Sequence, residues 1–318
     1  MRVAGNKLKH LVSFFRSELH KLYSNDEIDE LAFRVFEHFL NFKREDLQLR
    51  EEELINQSQL LLIYDAVKEL ATAKPLQYVL GEAYFYKYIF EVNEHVLIPR
   101  PETEELVEMI FNQNKEFSGS ILDLGTGSGC IPISLKCLLP KARVEACDIS
   151  DEALTLAKRN AGRNRAEVSF FNGDILGLPD SVSHYDIIVS NPPYIKRSES
   201  DQIHDNVKKH EPHLALFVND DDSIIFYKKI IDLCANNLNS KGKLYFELNP
   251  LTANEVKAYA ESKKIFSTID LKKTFQATSD SLKQLNVKLN YSLLVKENSL
   301  QARKNNSSHS ITFALQNL

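Results

Sequence analysis

At 318 residues, with 43% hydrophobic content and a formal charge of −5, the chain has room for two domains with ordinary cores and lacks the basic excess of a broad nucleic-acid-binding surface. No apolar run approaches the roughly 18 residues that would span a membrane, and the amino terminus shows no charged-then-apolar signal peptide. The four cysteines, at 130, 137, 147 and 234, fall within apolar segments where buried thiols belong, so the expected setting is the reducing cytoplasm.

Residues 1–74 read as a helical bundle. Leu8, Leu11, Val12, Phe15 and Leu19 recur at helical spacing, followed by Ile28, Leu31, Ala32, Val35, Phe36 and Phe39, then by Leu60, Leu61, Ala66 and Leu70. A bundle attached to a small-molecule enzyme is a natural place to recognise a macromolecular substrate. Residues 75–97, rich in Tyr, Phe and Val around Gly81, are expected to form a connecting β-hairpin. Residues 98–318 form the remaining domain. Its apolar runs near 119–124, 142–147, 167–171, 185–190 and 243–248 alternate with helical patterns, which predicts an α/β fold with a doubly wound, mostly parallel sheet. In such a sheet the ligand lies outside the carboxyl ends of the strands.

Four motifs fall at those ends; each alone is weak and reads at least as well as a surface turn, but four in order at strand ends make a strong signal. The first is Gly125-Thr126-Gly127-Ser128-Gly129, a tight turn between strand and helix that lets a ligand approach the backbone closely. Its glycine spacing is not the dinucleotide fingerprint, and Asp123 ahead of it would repel phosphate, so a phosphate-free or cationic ligand is expected. Asp148 ends the next strand and is placed to accept both hydroxyls of a ribose. Asn172-Gly173-Asp174 closes the third strand, where Asp174 is placed to read an adenine amino group. The fourth is Asn191-Pro192-Pro193-Tyr194, a stiff bend with free carbonyls, a side-chain acceptor and an aromatic face. Together these make a slot for a planar group bearing NH2, such as adenine N6, cytosine N4 or a glutamine amide. Residues 195–220 are polar and long for a connection, so a functional loop is expected there. His204, His210, Glu211 and His213 lie within it without a cysteine partner or an H-E-x-x-H pattern, and no metal is expected.

Over residues 75–250 the chain resembles the class I S-adenosylmethionine-dependent methyltransferases, and within them the release factor glutamine methyltransferases, called HemK or PrmC. The resemblance rests on Pro75 to Tyr78 with Leu80-Gly81, Leu97 to Glu104, the glycine loop, Asp148, Asn191 to Tyr194, and Glu211-Pro212 with Ala215-Leu216. Because N-P-P-Y also occurs in amino-methylating DNA enzymes, the segment Ile98-Pro99-Arg100-Pro101-Glu102-Thr103-Glu104 narrows the family. The resemblance implies methylation of the glutamine amide in the Gly-Gly-Gln motif of class I peptide chain release factors, with S-adenosylhomocysteine as product. It implies a cofactor site of Gly125, Thr126, Gly127, Ser128, Gly129, Asp148, Asp174, Ile175 and Asn191. Asn191, Pro192, Pro193 and Tyr194 are the expected catalytic residues, with Pro99, Arg100 and Glu102 at the substrate lip. No membrane and no stable nucleic-acid partner are expected. The competing readings are a ribosomal-protein glutamine methyltransferase, a DNA amino-methyltransferase and a non-catalytic binding module of the translation machinery.

The resemblance fails at the carboxyl terminus. The family continues with a charged strand ending in a K-D-x-x-x-x-x-R-like segment, whereas residues 271–318 run into a Ser/Asn-rich tail. A shift of reading frame at the Lys273 codon restores much of that pattern. On this reading the sheet lacks a partner strand at that side and exposes an edge. Asn249-Pro250 is a second departure, standing where a glycine is common.

Overall fold

The computed structural model describes residues 5–179, 183–275 and 289–298. The chain divides into two compact units, one of residues 1–82 with 203–211, the other of residues 83–202 with 212–318.

The first unit is helical: α1 (Leu8–Leu19), α2 (Asn25–Leu40), α3 (Asp46–Leu49), α4 (Gln57–Leu70) and α5 (Leu76–Leu80). Ser24 and Glu27 form a reciprocal capping box that starts α2, and Asn41 in the left-handed region stops it. Leu8, Leu11, Phe15 and Leu19 of α1 pack with Ile28, Val35 and Phe36 of α2 and with Ile63, Val67 and Leu70 of α4. Leu61, expected in this core, is exposed, and Ile63 and Val67 take the inward face of α4. The unit also runs past the expected boundary at residue 74. Pro75 precedes a further helical turn, and Leu76, Val79 and Leu80 pack against the same core before Gly81, at φ 74°, ends it. The hairpin expected over 75–97 is therefore confined to β1 (Glu82–Phe85) and β2 (Tyr88–Glu91).

The second unit continues with α6 (Pro101–Gln113), β3 (Ser120–Leu124), α7 (Cys130–Leu138), β4 (Arg143–Asp148), α8 (Asp151–Arg163), β5 (Ser169–Asn172) and β6 (Tyr185–Ser190). The 195–220 connection is not a plain loop. It carries the short strands β7 (Ile195–Lys196) and β8 (Phe217–Val218), paired in parallel, and the helices α9 (Asp205–His210), which belongs to the first unit, and α10 (His213–Leu216). Then follow α11 (Ile225–Asn237), β9 (Leu238–Leu248), α12 (Ala253–Lys263), β10 (Phe266–Phe275) and β11 (Leu289–Asn298).

Among the described residues the main sheet has seven strands, in the order β10-β11-β9-β6-β3-β4-β5. β3 pairs in parallel with β4 on one side and β6 on the other, so the chain reverses its direction of travel there and leaves a crevice at the strand ends. Successive residues of each strand face opposite layers. Leu122, Leu124, Ile188, Leu244 and Phe246 pack towards α11 and α12, whereas Ile121, Val144, Ile187, Val189 and Tyr245 pack towards α6 and α7. Burial on both faces explains the continuous apolar runs.

The expectation of a missing partner strand beyond residue 271 is corrected. β11 lies between β9 and β10 and pairs antiparallel with both, Leu293 standing opposite Phe246 and Leu271. The apolar residues Leu293, Leu294 and Val295 lie in a run with strand propensity, which the Ser/Asn-rich surroundings hide.

Candidate active site

The glycine loop follows from a simple conflict: β3 is buried on both faces, and α7 begins six residues after it ends. Gly125, Gly127 and Gly129 all adopt positive φ, at 77°, 53° and 81°, which lets the chain turn within that space. They serve different ends. A Cβ on Gly129 would lie 2.8 Å from Ile133 and 3.2 Å from Ala157, so this glycine allows α7 to pack closely. A Cβ on Gly127 meets nothing within 4 Å, because that position opens onto a cavity of about 400 Å³. The volume suits a small-molecule ligand.

Asp148, at the end of β4, braces this loop. One carboxylate oxygen accepts from Gly127 N at 2.8 Å and the other from Ser150 N at 3.0 Å, and each oxygen keeps a lone pair for a ligand. Asp174 accepts from Leu176 N at 2.9 Å, shaping the turn that carries Ile175 and Leu176 to the wall. Asn160, buried on α8, completes the frame. Its Nδ2 donates to the carbonyls of Ser128 and Glu91, while its oxygen accepts from Glu91 N, tying the glycine loop to β2.

Of the expected site residues, Gly125, Thr126, Gly127, Ser128, Asp148, Asp174, Ile175, Asn191 and Pro193 line one cavity with Pro99 and Arg100. Gly129, Glu102, Pro192 and Tyr194 do not line it. The Tyr194 ring packs instead against the core on the α11 side, and burial together with the nearby Glu247 carboxylate pushes its hydroxyl well above the usual tyrosine range. Among the described residues no group of three or more His, Cys, Asp or Glu side chains is placed to hold a metal ion. A ring nitrogen of His210 lies 3.2 Å from the Thr72 carbonyl, and His213 meets Phe217 edge to face.

Two buried carboxyl groups stand behind the rim. Asp123, fully buried in β3, has no well-formed hydrogen bond on either oxygen, and neither does the adjacent Thr126 hydroxyl. Burial pushes Asp123 up to about 7, with Asp148 acting in the same direction. Glu247, near the end of β9, accepts the Thr103 hydroxyl at 2.7 Å, and Thr103 Oγ1 in turn accepts from Asn191 Nδ2 at 3.2 Å. Burial pushes Glu247 to about 7 as well, against the pull of Thr103. Sequence reasoning did not assign a role to Thr103 or Glu247. The only local signal was a lone glutamate inside the apolar run Leu244-Tyr245-Phe246-Glu247-Leu248, where an unpaired charge does not belong.

A doubly wound sheet with a glycine loop, an acid on the adjacent strand and an Asn-Pro-Pro-Tyr bend at one rim defines a class I methyltransferase. The model for "Methyltransferase small domain" matches residues 102–215, and that for "PrmC N-terminal domain" matches residues 10–81. The release factor glutamine methyltransferase of Flavobacterium psychrophilum is 43% identical over 280 residues, covering 87% of this chain and 98% of that protein. Those of Bacteroides thetaiotaomicron and Lactococcus lactis are 38% and 44% identical, covering 76% and 71% of this chain and 87% and 82% of theirs. The chain belongs to the release factor glutamine methyltransferase family. It is an enzyme of a class that draws its methyl group from S-adenosylmethionine. No helix among the described residues is long and apolar enough to cross a membrane.

Proposed function

We propose that this protein transfers a methyl group from S-adenosylmethionine to the side-chain amide nitrogen of the glutamine in the Gly-Gly-Gln motif of class I peptide chain release factors. The names of its relatives support the substrate, and the cavity supports the cofactor. Its residues fit that group: Gly127 opens towards it, Asp148 retains acceptor capacity for ribose hydroxyls, and the orphaned Asp123 carboxylate lies behind the loop as a counter-charge for a cationic ligand. Asp174 and Ile175 would hold the adenine end, and Thr126 and Ser128 the loop side. When bound, S-adenosylmethionine supplies an electrophilic methyl group on a sulfonium centre.

The chain's own residues then have a limited task. A carboxamide nitrogen is a poor nucleophile because its lone pair is delocalised into the carbonyl. Asn191 Oδ1 and the Pro192 carbonyl would accept the two amide hydrogens, orienting the nitrogen and stabilising the positive charge that builds on it. Pro99 and Arg100 would border the entry of the substrate loop. Tyr194, packed behind the bend, would hold it in place rather than stack on the amide face. The proton leaves after transfer, so a strong general base is not required.

The observation that carries this reading is the direction of the Asn191 amide: its nitrogen is engaged by Thr103, which leaves its oxygen as the acceptor. Labelled methyl transfer to purified release factor, ribosomal protein and DNA tests it. Incorporation confined to the release factor is expected. Incorporation into ribosomal protein or DNA alone would replace the substrate assignment, and failure to bind the cofactor by calorimetry would favour a non-catalytic module.

A further inference from the structure

Thr103 and Glu247 are linked to Asn191 by hydrogen bonds that run in one direction. An ionised carboxylate only accepts, so the Thr103 hydroxyl gives its one proton to Glu247 Oε2 at 2.7 Å. Thr103 Oγ1 is then left with lone pairs alone and takes an N–H of Asn191 at 3.2 Å. An asparagine amide carries a donor at one end and an acceptor at the other. Engaging its nitrogen here turns its oxygen towards the substrate.

We propose that Glu247, acting through Thr103, is a positioning residue that fixes the polarity of the Asn191 side chain, so that an acceptor rather than an NH2 group meets the amide to be methylated. This rests on the reading of Asn191 as the acceptor for that amide. Both members of the relay are buried, at 2% and 3% exposure, so water does not substitute for them. The site also lies where the chain can hold it: Ser190 stands beside Phe246 in the sheet, which puts Asn191 next to Glu247, while Thr103 enters from the first turn of α6.

The same relay runs backwards once Glu247 is protonated. A neutral carboxyl group donates to Thr103 Oγ1, Thr103 donates to Asn191 Oδ1, and the Asn191 NH2 then faces the substrate NH2. Burial brings Glu247 up to about 7, Glu102 adds to this, and Thr103, Arg100 and the Asn191 amide hold it down. The other titratable groups facing it are Cys130 from α7, Tyr194 after β6 and Tyr227 from α11, all pushed upward by burial and neutral near pH 7. Methyl transfer therefore declines as pH falls through the neutral range.

The test is single-turnover methyl transfer to a Gly-Gly-Gln-containing protein at saturating S-adenosylmethionine, from about pH 5.5 to about pH 9, with cofactor affinity measured in parallel. The parent rate should fall on the acid side of about pH 7. Thr103→Val should be slower at pH 8 by on the order of tenfold, and both Thr103→Val and Glu247→Gln should lose that acid limb, while Kd for the cofactor stays within about threefold. Thr103→Ser should recover most of the rate lost in Thr103→Val, and the limb with it. Circular dichroism reports the fold of each variant, and should Glu247→Gln not fold, the two Thr103 variants decide the matter. A parent-like acid limb in Glu247→Gln or Thr103→Val, or a parent-like rate in Thr103→Val, would overturn the relay. Asn191→Ala separates the two layers of inference. If it is slow while Thr103→Val is fast, the relay alone fails; if it turns over at the parent rate, the acceptor reading beneath it fails.

Discussion

Gly127 and Gly129 both sit at positive φ, yet a side chain would act differently at the two positions. At Gly129 it would collide with Ile133 and Ala157, so Gly129→Val should destabilise the fold, seen as a lower Tm. At Gly127 it would extend into the cavity without meeting protein. Gly127→Val should therefore abolish cofactor binding in calorimetry, with a smaller loss of Tm that reflects left-handed strain of about 1–2 kcal/mol. Normal binding by a folded variant would place the cofactor elsewhere. Asp148→Ala should weaken binding by about 1–3 kcal/mol, because it removes the ribose acceptor and frees the Gly127 N–H that the carboxylate holds. An unchanged Kd would remove Asp148 from the site. At this scale the rim was legible in the sequence: Gly125, Asp148, Asp174 and Asn191 each stand at the end of a recognisable strand. Thr103 and Glu247 were not, because their hydrogen bond joins positions 144 residues apart, and a lone glutamate in an apolar run does not name its partner. The sequence neighbours of Tyr194 do not show that its ring packs against the core, a placement that favours bracing the bend over the expected stacking on the amide.

At the scale of elements, the parallel strands could be read because burial on both faces leaves uninterrupted apolar runs between turn residues. The amino-terminal helices were read with one face misassigned, Leu61 in place of Ile63, since Leu60 to Ile63 are all apolar and periodicity alone cannot choose among them. β11 was missed because the polar flanks dominate the local composition. The attachment of the glycine loop to the hairpin was equally invisible, since one residue, Asn160, joins them. Asn160→Ala strands the Ser128 and Glu91 carbonyls and the Glu91 N–H together. A loss of about 2–4 kcal/mol in denaturant-derived stability is expected. A loss within experimental error would mean that the hairpin and the loop hold their places without it.

For the whole molecule, the two buried acids set an unusual pH dependence. In the unfolded chain Asp123 and Glu247 ionise near their ordinary values of 3.8 and 4.5, whereas in the folded protein burial raises both to about 7. Between those limits the folded state binds more protons than the unfolded state, so their contribution to stability is complete below about pH 4 and is lost as pH rises through about 7. Asp123→Asn removes one of these groups. Its Tm relative to the parent should rise progressively from about pH 4.5 to about pH 7 and then level off. A constant difference across that range would mean that Asp123 is already ionised in the folded protein. A cationic ligand beside Asp123 favours its ionised form, so cofactor binding near pH 6 should release protons, measurable as a dependence of binding enthalpy on buffer ionisation. The most direct measurement of where the methyl group goes is peptide mapping by mass spectrometry of a purified class I release factor after incubation with this enzyme and S-adenosylmethionine. A single methyl group on the side-chain amide of the Gly-Gly-Gln glutamine is expected. A methyl group on any other residue, with that glutamine unmodified, would contradict the proposed function.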